Sequence, residues 1–253
     1  MIDLEKYLYD VIRPIFDSWN EDGIYAVSFF VCSNELQEYR GFSNVTNFSV
    51  SYNTETDCRG AGRHSEARWN YAFWRQNDTP IFDSYSGTPE TDVLFDWYAQ
   101  QGITNIGYET GDMEAPVGFQ ELTDVLSRVA RRFQEEGYFV KKFGRPIPIL
   151  IHDLEYIPCT LEATAYANPN GEAADFLAGD WETAPSNWNN PRLEEMQSRI
   201  GAFLEKAASD PKAKALMQNI VEGQGRDYTH FMQDMDALMQ IILGDENKPD
   251  SIK

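Results

Sequence analysis

The sequence predicts an α+β fold: a mostly antiparallel sheet flanked by helices, with a helical C-terminal portion. Three observations predict it. Two β-rich runs, 24–32 and 47–52, are separated by a short polar connection, which favours an antiparallel pair. The longest apolar stripes recur at helical spacing. After Pro191 the pattern turns helical throughout. We therefore divide the chain into an α+β domain, 1–185, and a helical extension, 186–253, packed on or appended to it. The loop "DWETAPSNWNNP", 180–191, marks the boundary.

The elements follow in order. Leu4, Tyr7, Leu8, Val11, Ile12, Ile15 and Trp19 form a helical stripe over residues 2–19, which Pro14 is expected to kink or end early. "IYAVSFFVC", 24–32, is almost wholly apolar and reads as a central strand buried on both faces. "NFSVSY", 47–52, alternates and reads as a half-buried strand. Ser65 stands where a cap is needed for a helix over "EARWNYAFWRQ". Thr88 and Gly102 bracket another helix. Phe119, Leu122, Val125, Leu126, Val129 and Phe133 stripe a third, ended by Gly137. "YFVKKF" and "IPILIHDLEYI" read as strands, and "ANPNGEAADFLAG" as a turn and short helix. Beyond Pro191, Leu193, Met196, Ile200, Phe203 and Leu204 form one packing stripe. Phe231, Met235, Leu238, Met239 and Ile242 form another.

Trp69, Tyr71, Phe73 and Trp74 crowd into six positions. As a helix this segment is apolar on two sides, which favours burial as a core anchor over a docking surface. Base stacking is disfavoured, because stacking aromatics serve nucleic acid beside a basic groove and the next 52 residues carry no Lys or Arg.

Charge is the strongest global feature. Forty-one acids against 21 bases leave a net charge of −20. Nucleic acid and anionic membranes repel such a chain, and a basic protein partner suits it. Between Arg75 and Arg128 there is no base, while Asp78, Asp83, Glu90, Asp92, Asp96, Glu109, Asp112, Glu114, Glu121 and Asp124 fall there. Between Arg145 and Arg192 the same holds, with Asp153, Glu155, Glu162, Glu172, Asp175, Asp180 and Glu182. These blocks must pair with distant parts of the fold or face water. No apolar run approaches a membrane span, and the N-terminus has no basic, then hydrophobic, signal pattern. Cys32, Cys58 and Cys159 lack CxxC spacing, which fits free thiols in a reducing cytoplasm.

No phosphate loop, dinucleotide fingerprint or GxSxG occurs. His152 with Asp153 and Glu155 is the one constellation with chemical promise, as a metal or proton-transfer site at a strand end. Continued strand geometry puts His152 on the opposite face from the two acids, and a structural strand end is favoured. We expect no cofactor.

The order of elements resembles that of bacterial domain-of-unknown-function and SMI1/KNR4-like immunity proteins found beside polymorphic toxins. The likeness rests on "IYAVSFFV", the second strand, Trp69 and Trp74 five residues apart, the apolar strand ending at Asp153, and "ANPNGEAADFL". It spans roughly residues 1–180. The resemblance implies an α+β domain that binds a cognate toxin, with no catalytic residues to carry over. The sequence thus leads to three readings. The first is a cytoplasmic immunity protein using an acidic, aromatic-bearing surface of Asp83, Glu90, Asp92, Asp96, Trp97, Glu109, Asp112, Glu114, Asp153, Glu155, Asp180, Trp181 and Glu182. The second is a metal-dependent hydrolase using His152, Asp153 and Glu155. The third is a general interaction protein with an acidic coat.

Overall fold

The computed structural model describes residues 1–34, 38–75, 77–109, 115–154 and 156–184. Beyond these it describes Ser198, Gly201, Glu205, 208–222, Ala237, Leu238 and Ile241. The chain divides into two compact units, Met1–Asn190 and Pro191–Lys253.

The first unit is an α+β fold around a four-stranded mixed sheet of order β3-β2-β1-β4, where β1 is Ile24–Asn34, β2 Val45–Thr54, β3 Thr79–Phe82 and β4 Ile149–His152. The β1–β2 and β2–β3 pairs are antiparallel, and β4 joins β1 in parallel. β1 is central. Val27, Phe29 and Val31 point into the larger core, while Phe30 packs against a second core on the opposite face. A strand buried on both faces has no polar side to advertise, which is why it reads as a continuous apolar run.

The larger core is closed by α1 (Leu4–Ser18), α3 (Pro89–Gln101), α4 (Phe119–Glu135) and α5 (Tyr138–Phe143). Asp3 caps α1 by accepting from the Lys6 amide at 3.0 Å. The helix runs through Pro14 rather than ending there. Pro14 is exposed, so the carbonyl it leaves without a donor faces water, while Leu4, Leu8, Ile12 and Phe16 stay buried. All six stripe residues of α4 are buried. "YFVKKF" is a helix, not a strand. Its buried and half-buried residues fall at 138, 139, 142 and 143, a helical period, between the left-handed Gly137 and Gly144.

The aromatic segment corrects another expectation. Instead of one helix, α2 (Glu66–Trp69) stops at Asn70 and a 3-10 turn covers Tyr71–Phe73. Ser65 holds the cap position, but its side chain makes no capping bond. The break turns Trp69, Tyr71 and Trp74 into the same core, with Tyr25, Leu150 and Phe176, and leaves Ala72 exposed. Their polar atoms are satisfied: Trp69 Nε1 donates to the Arg63 carbonyl (2.6 Å) and Trp74 Nε1 to the Arg68 carbonyl (2.9 Å). Three of the four aromatics thus anchor a core, and Phe73 stays half-buried outside it.

β4 ends at His152, short of the longer strand expected, and α6 (Pro158–Ala167) follows, then α7 (Ala174–Leu177). In the second unit, α8 (Pro211–Glu222) contributes the buried Ala213, and Leu216, Met217, Ile220 and Ile241 pack around Ala213 and Leu238. Apart from Leu238, the two C-terminal stripes lie outside the described residues. No helix among the described residues is long and apolar enough to cross a membrane.

Candidate functional site

The sheet face opposite the larger core is only partly covered. Tyr71 lies over Phe30 with rings stacked, 5.0 Å apart and 13° from parallel. Beyond them, towards the end of β1, the face opens into a groove of about 520 Å³. Phe30, Cys32, Pro80 and Leu154 supply its apolar side chains and Asn47, Ser49, Tyr71, Asp78 and Asp83 its polar ones, while Phe48 and Phe82, whose side chains belong to the larger core, border it. Leu154 is 60% exposed.

Strand alternation builds the groove. Residues i and i+2 share a face, so Phe30 and Cys32 project together, as do Asn47 and Ser49 beside them on β2. Asp78 is delivered by the chain entering β3, and Asp83 by the turn leaving it. Asp78 is fixed by two hydroxyls: Ser49 donates to its Oδ1 at 3.0 Å and Tyr71 at 2.6 Å. Asp83 is fixed by the Tyr85 amide, donating to Oδ1 at 2.9 Å, and by the Ser86 hydroxyl on Oδ2. Burial first, then the charges of Asp153, Asp78 and Asp83, push the Cys32 thiol up to about 11. Cys32 is therefore a neutral thiol near pH 7, felt by carboxylates from three places in the chain.

Of the sequence-predicted residues, Asp83 lines the groove, and Asp153, from the other acidic block, acts with it on the Cys32 thiol. The others go elsewhere. Asp92 and Asp96 both grip Arg40, at 2.5 and 2.9 Å, and Tyr39 donates to Asp92. Glu90 is half-buried and acts on Tyr7, whose hydroxyl is raised mainly by burial and next by that carboxylate. Trp97 packs against the larger core beside Tyr98. Trp181 packs against Phe176 and Tyr156 in the second core. Asp180 lies 3.5 Å from His64, and Glu182 bridges to Ser65. Glu109 is exposed at a separate cleft with Tyr108. Asp112, Glu114 and Glu155 lie outside the described residues.

His152 is buried, 1% exposed, among Phe30, Tyr71 and Tyr156. Its Nδ1 lies 3.0 Å from the Asp153 carbonyl, which can only accept, so Nδ1 carries the proton and donates. Nε2 then accepts from the Ser28 hydroxyl at 2.8 Å. Both nitrogens have partners within the fold. Burial depresses its pKa to about 4, so it is neutral at pH 7. Among the described residues no group of three His, Cys, Asp or Glu side chains is arranged to hold a metal.

Phe30, Cys32, Tyr71, Asp78 and Leu154 are groove residues that the sequence reading did not single out as a site. Phe30 and Cys32 carried a signal, since they share one face of an apolar strand whose other face is the core. Asp78 and Tyr71 carried none, because their meeting depends on the break at Asn70. Comparison with family models, with curated proteins and with solved structures returned no match.

Proposed function

We propose that this protein is a stoichiometric binder of a basic protein partner, and within that class a toxin-neutralising immunity protein. One observation carries the reading: Asp78 and Asp83 line one apolar-floored groove, and Asp153, distant from both in sequence, acts on the Cys32 thiol in its wall. The net charge of −20 supports it, because a field of that sign speeds the approach of a cationic protein. An apolar floor ringed by carboxylates matches the hot-spot pattern, in which a desolvated centre supplies affinity and charge supplies rate and selectivity. The immunity reading adds the likeness of element order described above, and a toxin that acts on nucleic acid would bring the basic cleft that such a groove complements.

The test is capture on immobilised protein at about 50 mM and about 500 mM salt, followed by purification of the recovered partner and its titration. The expected partner is basic, binds one to one, weakens at high salt, and weakens again against Asp83→Asn/Asp153→Asn protein. A purified partner that ignores both salt and those substitutions would remove the reading.

A further inference from the structure

We infer that the groove recognises an arginine side chain of the partner, with Asp78 as the residue that reads its guanidinium. This rests on the partner-binding reading above and specifies its chemistry.

Asp78 is a prepared acceptor. Ser49 and Tyr71 both donate to its Oδ1, which holds that oxygen beside the sheet. Its Oδ2 takes no hydrogen bond from the described residues. Its two donors are neutral hydroxyls, and no described base lines the groove with it. Phe30 and Leu154 provide the apolar surface that an aliphatic stem needs, and Leu154 is open to solvent. Arginine suits this better than lysine. Its guanidinium is planar and weakly hydrated, so it loses less on entering a half-buried aromatic site, whereas an ammonium must shed a tight water shell. The three carboxylates around Cys32 supply the charge complementarity, and the apolar floor excludes a purely ionic contact.

The test titrates the intact protein with Nα-acetyl-arginine amide at millimolar concentration, followed by the NMR signals of Phe30 and Leu154. The citrulline and lysine analogues serve as neutral and ammonium controls. Saturable shifts with the arginine probe, none with citrulline and weaker ones with lysine are expected. Asp78→Asn should weaken arginine binding about tenfold. This variant keeps an Oδ1 for Ser49 and Tyr71, so its fold is preserved. Leu154→Ser, at an exposed position, should weaken binding without touching the charge. Silence of the arginine probe, equal shifts with citrulline, or indifference to Asp78→Asn overturns the inference. If the purified partner still loses affinity for Asp83→Asn/Asp153→Asn protein in that event, the partner-binding reading survives; if it does not, both fall.

Discussion

The side-chain amide of Asn168 pairs with the backbone of Ile149 as a neighbouring strand would. The Ile149 amide donates to Asn168 Oδ1 at 3.0 Å, and Asn168 Nδ2 donates to the Ile149 carbonyl at 2.8 Å. One turn earlier on α6, the Thr164 hydroxyl accepts from the Ile151 amide and faces its carbonyl, both at 2.8 Å. A helical residue and the C-cap four positions on thus close the outer edge of β4, where an unpaired buried ladder would be costly. At the opposite edge Pro80 lacks an amide and Thr88 donates to the Ile81 carbonyl. Both edges of the sheet are thus ill suited to strand addition.

Asn168→Ala should be severely destabilising. It strands the Ile149 amide and carbonyl in the core and removes an acceptor from Gln134, which also donates to Asn168 Oδ1 at 2.9 Å. Buried groups left without partners cost about 1–3 kcal/mol each, so a loss of about 3–5 kcal/mol is expected in urea unfolding. Faster hydrogen exchange at Ile149 should accompany it. A loss under about 1 kcal/mol would mean the edge is satisfied some other way.

Much of this architecture was legible from patterning. The α4 stripe, the Thr88–Gly102 bracket and the β1–β2 pair are local signals, set by periodicity and capping. The edge closure was not, because Thr164 lies on a helix that the sequence reading passed over and Asn168, read as part of a turn, is the cap that ends it. Its apolar face is short, and only Pro158 at the first turn announced it. The same holds for the groove. Asp83 and Asp153 were singled out as acids, but their meeting at Cys32 depends on the parallel placement of β4 beside β1. "YFVKKF" misled because aromatics favour strands in isolation, while two flanking left-handed glycines and tertiary packing decide otherwise.

His152 should make the protein acid-sensitive above the carboxylate range. Its folded pKa is about 4 against an ordinary 6.5, so above pH 6.5 neither state binds the proton and stability is full. Below 6.5 the unfolded chain protonates while the folded one resists, and stability falls by up to about 1.4 kcal/mol per pH unit until about pH 4. Denaturation midpoints between pH 7 and 4 should trace this slope, and His152→Gln should flatten it. An unchanged slope in the variant would assign the sensitivity to other groups.

Glu21 behaves in the opposite sense. Arg75 bonds both its oxygens, one at 2.6 Å, and this pairing first, with help from the Tyr52 hydroxyl, holds its carboxyl at about 2. Its contribution is present above the unfolded value near 4.5 and disappears as pH falls through 2. The side chain is 44% exposed, so solvent screening keeps the contribution of the pair to about 1 kcal/mol or less. Glu21→Gln should lower stability slightly at pH 7 and converge with the native protein near pH 2. A deficit that persists at pH 2 would point to lost packing instead.

The aromatic segment separates core from surface within two residues. Trp74 is 1% exposed, its ring 6.0 Å from that of Tyr25, whereas Phe73 is half-buried. Trp74→Ala should cost about 3–5 kcal/mol and Phe73→Ala clearly less. Equal losses would show that the 3-10 turn, rather than the buried indole, is what holds the segment.

The acids themselves should divide into two functional groups. Asp92 and Asp96 are exposed, yet their charge is already answered by Arg40, so either one changed to Asn should shift stability by less than about 1 kcal/mol and leave partner capture intact. Asp83 lines a groove with no described base in its wall, and Asp83 and Asp153 both act on the Cys32 thiol there. Asp153→Asn should therefore slow association with a basic partner, more strongly at low salt, while Asp92→Asn at nearly the same cost in net charge should not. Association rates measured across ionic strength for the two variants make the comparison at equal total charge. If both variants slow binding equally, the partner senses only the overall field of the molecule and the groove has no special part in capture.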